Sequence, residues 1–332
     1  MDLGIFDHLD HRDVPLAEFY ESRLRLLERY DAAGFYSYHL AEHHATPLGL
    51  APMPGIFLAA ATQRTRRIRL GPCVYCLPLY HPLRLIEEVC MLDHLSRGRF
   101  EFGVGRGIVP YEMAYFNLHH LETEEIYREA LDAILQGLQN DVLDHRGPHF
   151  TFRNVPMILR PLQEPHPPLW YGMGHAAGAE WAATNKVNVI SNAPPEGSRP
   201  LFERYRDVWH RKHGDAAMPK LGMSRHVVVA PTEPEALALA RPNYAAWYAN
   251  LTKLWRDFGA VPFRFARDFD EALQRGVAIA GTPARVREEI ERQVEASGCT
   301  YFVCRLMFGH MSEAEAVSSI DLFTAQVMPH LK

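Results

Sequence analysis

The sequence predicts one (β/α)8 TIM barrel with insertions, spanning residues 1–332 as a single domain. Three observations carry this. Short β-rich apolar runs alternate with amphipathic helical segments eight times, no linker interrupts the alternation, and 332 residues suffice for one large barrel. A doubly wound open sheet shares the alternation and is the structural alternative.

Leu3 to Phe6 reads as the first strand. The helix behind it shows Leu16, Tyr20, Leu24 and Leu27 on one face and stops at Gly34, a good C-terminal residue. Phe35 to Leu40 is the second strand, followed by a helix over about 55–65. Ile68 to Leu77 is the third strand, and its helix, about 83–95, is closed by Ser96-Arg97-Gly98. Arg99 to Val104 forms the fourth strand and Glu122 to Leu138 the fourth helix. A proline-rich insertion, about 141–168, carries the alternating His149-Phe150-Thr151-Phe152, which suggests an edge hairpin.

The alternation then resumes. Leu169 to Met173, Val187 to Ser191 and Met223 to Ala230 are strands five to seven. Their helices cover about 176–185, 197–213 and 233–250, the last opened by a Thr232-x-x-Glu235 capping box. A second, less regular insertion, about 257–280, is a candidate lid. Thr282-Pro283 starts a helix with proline in its first turn. Thr300 to Met307 is the eighth strand, and Ser312-x-x-Glu315 caps a final helix burying Val317, Ile320, Phe323 and Val327.

The composition, 47% hydrophobic and 23% charged, is that of a globular protein. Thirty-five basic residues against 40 acidic ones, with no basic patch or tail, argue against nucleic acid as a partner. The N-terminus has no signal-peptide pattern and no apolar run approaches membrane-spanning length, so a cytoplasmic enzyme is expected. Five cysteines are too few and too odd in number for a disulfide framework. Cys73-x-x-Cys76 falls within the third strand, where residues three apart face opposite ways, so packing thiols are favoured over a redox or zinc pair.

Barrel chemistry sits in the loops after the strands. In Gly103-Val104-Gly105-Arg106-Gly107 the glycines admit a ligand close to the backbone, and Arg106 can grip a phosphate. The spacing is not the dinucleotide fingerprint, and a tight turn with a surface arginine fits equally well. The run Met173-Gly174-His175-Ala176-Ala177-Gly178 opens a helix whose free amides and dipole suit an anion, unless its small residues serve helix packing. Together the two segments suggest a phosphate monoester. Glu42-His43-His44 closes the second strand and offers an acid, base or hydrogen-bond donor. A hydrogen-bonded loop histidine is the plainer reading. Metal ligation with His39 and His44 is the least favoured, since His8 and His11 lack the H-x-H pair of metal-dependent barrel hydrolases, and no metal is expected.

Three segments resemble the bacterial luciferase-like flavin-dependent monooxygenase family: Leu40 to His44, Leu77 to Arg84 and, most specifically, Leu92 to Gly107. Glu180 to Ala183, Trp247-Tyr248, Ala280 to Pro283 and Val327 to Lys332 extend the similarity over essentially the whole chain. The resemblance implies a barrel that binds reduced FMN in its mouth. There O2, the cosubstrate, adds to the reduced ring, and the resulting flavin peroxide oxygenates a small organic molecule. It implies that Arg106 binds the phosphate, with Gly105, Gly107 and Ile108 beside it, and that His43 is the catalytic histidine. Cys73–Val74 aligns with a non-prolyl cis peptide under the ring. Gly174, His175 and Gly178 align with the cofactor's phosphate end, and Ser224 and Trp247 with cavity positions.

Two departures separate this chain from the luciferase α-subunits. Gly105 stands where they carry cysteine, and Gly174-His175 where they carry Glu-Ser, so light emission is not implied. A deazaflavin (F420)-dependent hydride-transfer oxidoreductase is the alternative on the same fold; Glu42-His43-His44 after the second strand favours FMN. A non-catalytic flavin-binding relative is a further possibility, against which the intact His43 argues. Phe6, Tyr75, Tyr80, Tyr111, Trp247 and Met307 would, as pocket residues, suit an apolar substrate of aldehyde, ketone, terpene or organosulfur type, although aromatics near barrel ends more often serve packing. No nicotinamide fingerprint is visible, so a separate NAD(P)H:flavin reductase is expected as a partner; the resemblance also implies a homodimer through outer helices.

Overall fold

A computed structural model describes residues 1–262 and 265–331. The chain opens with β1 (Asp2–Asp7), α1 (Leu16–Ala33), β2 (Ser37–Leu40) and α2 (Pro54–Arg64). Next come β3 (Arg69–Pro72), β4 (Tyr75–Cys76), α3 (Pro82–Ser96), β5 (Phe102–Gly105), α4 (Pro110–Tyr115) and α5 (Thr123–Gln139). An antiparallel hairpin, β6 (Val142–Arg146) with β7 (Thr151–Pro156), precedes β8 (Leu169–Gly172), α6 (Ala176–Thr184), β9 (Asn188–Ser191) and α7 (Pro195–His213). The last third contains β10 (Leu221–Val229), α8 (Glu233–Phe258), α9 (Phe269–Gln274), β11 (Ala278–Gly281), α10 (Pro283–Ser297), β12 (Tyr301–Arg305) and α11 (Glu313–Gln326).

The parallel strands run in the order β3-β2-β1-β12-β10-β9-β8-β5-β4. A parallel bridge between Leu70 and Phe100 joins the two ends, so the sheet closes into a (β/α)8 barrel with β3 and β4 as one interrupted strand. Side chains alternate across each strand. Phe6, Ala41, Trp170, Ile190, Tyr301 and Val303 fill the interior, while the larger apolar layer lies between strands and helices. Each such fully buried side chain contributes roughly 1.5–3 kcal/mol. Deep in the interior His39 Nε2 meets the Tyr301 hydroxyl at 2.9 Å, so His39 is a core histidine. Glu101 closes the lower end by accepting from Ser37 and Arg69.

Several elements differ from the sequence reading. The inner stripe of α1 is Phe19, Ser22, Arg23, Leu26, Leu27 and Tyr30; of the expected face Leu27 is buried, Tyr20 and Leu24 are half-buried at its edge and Leu16 is exposed. The apolar count misjudged the face because Arg23 is buried, paired with Asp7 at 3.1 Å. The third strand is not continuous: it breaks at the cis Cys73–Val74 peptide and ends in a 3-10 turn at Leu77–Leu79. The insertion at 141–168 does hold a hairpin, longer than His149–Phe152. The stretch 257–280 is more regular than expected, since α8 runs on to Phe258 and both α9 and the added strand β11 lie within or end it. β11 pairs with β10, so the end of the expected lid is part of the sheet, and residues 263 and 264 lie outside the described residues.

Candidate active site

At the C-terminal ends of the strands lies a cavity of about 480 Å³. Its volume is in the range of small-molecule and cofactor sites. One side is made by the broken third strand. The Cys73–Val74 peptide is cis, and the break turns both Cys73 and Cys76 to the cavity, against the expectation of opposite faces. All five cysteines are free, and burial pushes the Cys73 thiol up to about 12, which leaves it protonated at neutral pH. Glu42 fastens this segment: its carboxylate accepts from the Cys76 amide at 3.2 Å, the Tyr80 hydroxyl at 2.8 Å and faces His44 Nε2 at 2.9 Å. His44 is thereby engaged in holding the loop.

Gly105 lies in this wall, where a Cβ would stand 2.5 Å from Val74 Cγ2 and the valine side chain would have to shift to admit it. Beyond it Arg106, Gly107 and Ile108 line the cavity. Arg106 is half-exposed, and among the described residues its one ion pair is with Glu124, at 3.9 Å, so its guanidinium is available to an anion. Opposite stands the N-terminus of α6. His175 caps it by accepting from the Gly178 amide at 3.0 Å. That leaves the Ala176 and Ala177 amides without helical partners. Gly174 lines the cavity with open space at its Cβ position, whereas a Cβ on Gly178 would meet the Tyr171 ring at 3.0 Å. Gly178 is therefore held by close packing and by its cap. Of the expected cofactor residues, Cys73, Val74, Gly105, Arg106, Gly107, Ile108, Gly174 and His175 surround the cavity. Gly178, Ser224 and Trp247 are not on its wall.

The far end is rich in titratable groups. His43 lines the cavity and its Nδ1 contacts Glu112 Oε1 at 3.0 Å. A carboxylate only accepts, so Nδ1 carries the proton and Nε2 is the nitrogen left for a further partner. Burial acts to lower the His43 pKa, but Glu112, with Glu42 and Asp10 behind it, outweighs that and the net shift is upward. His8 stacks on His43 with centroids 5.9 Å apart, and its own pKa is lowered by burial and by Arg305. Asp10 is buried, accepts from the Gly309 amide at 2.6 Å, and is pushed up to about 7, chiefly by burial.

Glu112 and Arg305 escaped the sequence reading, whereas His8, weighed there only as a metal ligand, lines the cavity. Glu112 was hidden because no clear helix was expected after Gly107, yet Pro110 is the first residue of α4. Proline at a helix start was the available signal. Among the described residues no group of three or more His, Cys, Asp or Glu side chains is placed to hold a metal ion, and no helix is long and apolar enough to cross a membrane.

The site fits a phosphate-bearing planar cofactor on its own features: an available guanidinium, free helix amides, unfilled space at Gly174 and a flat wall thinned by Gly105. Comparison with known proteins agrees in kind. The sequence pattern of the family described as luciferase-like monooxygenase matches residues 1–301. An uncharacterized protein of Sinorhizobium fredii, y4wF, is 41% identical over 93% of this chain and 91% of its own length. The limonene 1,2-monooxygenase of Rhodococcus erythropolis is 28% identical over 99% of this chain and 86% of its own. The oxygenase component of the flavin-dependent trigonelline monooxygenase of Acinetobacter baylyi is 28% identical over 70% of this chain and 67% of its own.

Among solved structures, monooxygenase RslO1 from Streptomyces bottropensis superposes with a TM-score of 0.90 at 27% identity, covering 100% of both chains. Two more distant structures share the fold alone. The oxygenating constituent of 3,6-diketocamphane monooxygenase from Pseudomonas putida, in complex with FMN, has a TM-score of 0.81 at 19% identity and covers 99% of this chain and 98% of its own. The F420-dependent tetrahydromethanopterin reductase of Methanopyrus kandleri has a TM-score of 0.72 at 19% identity and covers 100% and 99%.

Proposed function

Because the chain belongs to the luciferase-like monooxygenase family, we propose that it is an FMN-dependent oxygenase that transfers one oxygen atom from O2 to a small, largely apolar organic molecule. The observation that carries this reading is the placement of Arg106 and the α6 N-terminus at one end of a cavity whose other end holds the His43–Glu112 pair. When bound, reduced FMN supplies the electrons that activate dioxygen. Arg106 and the Ala176 and Ala177 amides hold its phosphate through charge-assisted hydrogen bonds. Val74 would lie against the ring, and Phe6, Ala41 and Ile190 keep the interior of the cavity apolar.

His43 holds or moves a proton at Nε2, oriented by Glu112 at Nδ1. Electrons come from a separate NAD(P)H:flavin reductase, a reading supported by the relative that is the oxygenase component of its enzyme. A homodimer through the outer helices and a cytoplasmic location complete the proposal.

Titration with reduced FMN, riboflavin and F420, followed by absorbance, tests it. The wild type is expected to prefer reduced FMN, and Arg106→Ala to weaken FMN binding about tenfold or more while leaving riboflavin nearly unchanged. Equal FMN affinity in the two proteins, or tighter binding of F420, would overturn it.

A further inference from the structure

Arg305 is the second guanidinium of the cavity and, unlike Arg106, it is buried, with 7% of its surface exposed. It projects inward from β12, in register with His226 of β10. Its Nη2 donates to Asn192 Oδ1 at 2.7 Å and its guanidinium lies over the Phe6 ring, 4.7 Å from the centroid. Nε is buried with no partner, and Arg305 forms no ion pair among the described residues. Burial lowers its pKa only to about 10, so it is a cation at neutral pH. A buried cation without a counter-charge is costly unless a ligand supplies an acceptor.

The neighbourhood shares this imbalance. Trp247 Nε1, which can only donate, is buried without a partner, as are His226 Nε2 and Ser224 Oγ. His226 packs edge-on to Trp247 at 4.4 Å, and His8 links the group to His43. The features suited to FMN stand on β4, β5 and α6; these unpartnered polar groups stand on β10, β12 and α8, across the barrel from them, with Arg305 reaching the cavity wall and the others behind it.

We propose that Arg305 is the recognition residue for an electron-rich oxygen of the organic substrate, a ketone carbonyl or a carboxylate, whose carbon skeleton extends over Phe6 toward His43. This deepens the oxygenase reading and rests on it for the identification of the ligand as substrate. It excludes a plain hydrocarbon as the preferred substrate, because a hydrocarbon would leave the buried guanidinium without an acceptor.

The test uses the full-length protein without cofactor and again saturated with FMN. Calorimetric titration compares cyclohexyl methyl ketone, cyclohexanecarboxylate and ethylcyclohexane. The ketone and the carboxylate are expected to bind at least about tenfold more tightly than the hydrocarbon. Arg305→Met should erase that preference without changing FMN affinity more than about twofold. Arg305→Lys, which keeps the charge, should retain the carboxylate preference and serves as the reading if the methionine variant does not fold.

Two results overturn the proposal. One is an unchanged preference in a folded Arg305→Met protein, or in Arg305→Lys an affinity for the carboxylate no better than for the hydrocarbon. The other is a tenfold loss of both FMN and riboflavin with the probe preference intact, which would assign Arg305 to the flavin ring. Because the probe series is first read without cofactor, its failure is distinguishable from failure of the FMN reading.

Discussion

The His43–Glu112 contact is where single side chains set the chemistry. Glu112 is buried on α4, and the net upward shift of His43 arises from this carboxylate working against burial. Glu112→Gln removes the charge and keeps the shape, so the imidazole should lose its proton at lower pH. The sign follows from linkage: a raised folded pKa stabilises the native state below the unfolded value, and that stabilisation is lost as pH rises through the folded value. The variant should therefore lose its excess stability at acidic pH, and the limb of the pH–rate profile set by His43 should move to lower pH. Nuclear magnetic resonance titration of the His43 ring checks it; an unmoved or raised midpoint would refute the pairing. Neither partner is legible as a pair in the sequence, because 69 residues separate them and only the turn at Pro110 swings Glu112 inward.

Helix ends were more legible, because they depend on neighbours in sequence. Ser312 accepts from the Glu315 amide while Glu315 accepts from the Ser312 amide, the full reciprocal capping box expected for α11. At α8 the expected box is only half formed. Thr232 caps the Glu235 amide at a long 3.4 Å and donates to the Glu235 carboxylate instead. Ser312→Ala should accordingly cost about 1 kcal/mol in denaturant unfolding, and Thr232→Ala less. Equal losses would show that the second bond of the box contributes nothing. The third strand is the element that departs most from its sequence: β-prone residues flank Gly71-Pro72, and the break at Cys73–Val74 lies beside a segment fastened by Glu42 from the loop after β2.

For the molecule as a whole, the open question is assembly. α2 and α3 pack on each other yet leave large apolar side chains outward, with Ile56 at 72% and Met91 at 56% exposure. Leu95 and Met53 extend the same two helices' apolar surface. Exposed apolar side chains on two helices packed together make this face a candidate interface. The proposed homodimer predicts that sedimentation equilibrium gives twice the 37.9 kDa chain mass, and that Ile56→Arg with Met91→Arg shifts the protein to monomer without unfolding it. A double variant that still sediments as a dimer would place the interface elsewhere.

The sequence alone determined the alternation of strands and helices, the closed parallel barrel, the family, and the segments that reach the barrel mouth. These depend on periodicity and on local turn chemistry, both of which are written in consecutive residues. Tertiary structure decided what faces what. It put Arg23 beside Leu26 and Leu27 on the inner side of α1, turned both Cys73 and Cys76 to one cavity, and brought His8, Glu112 and Arg305 around it. The reason is physical: the direction of a side chain at a strand end is set by contacts and hydrogen bonds from distant segments, and a closed barrel brings together residues that no sequence spacing relates.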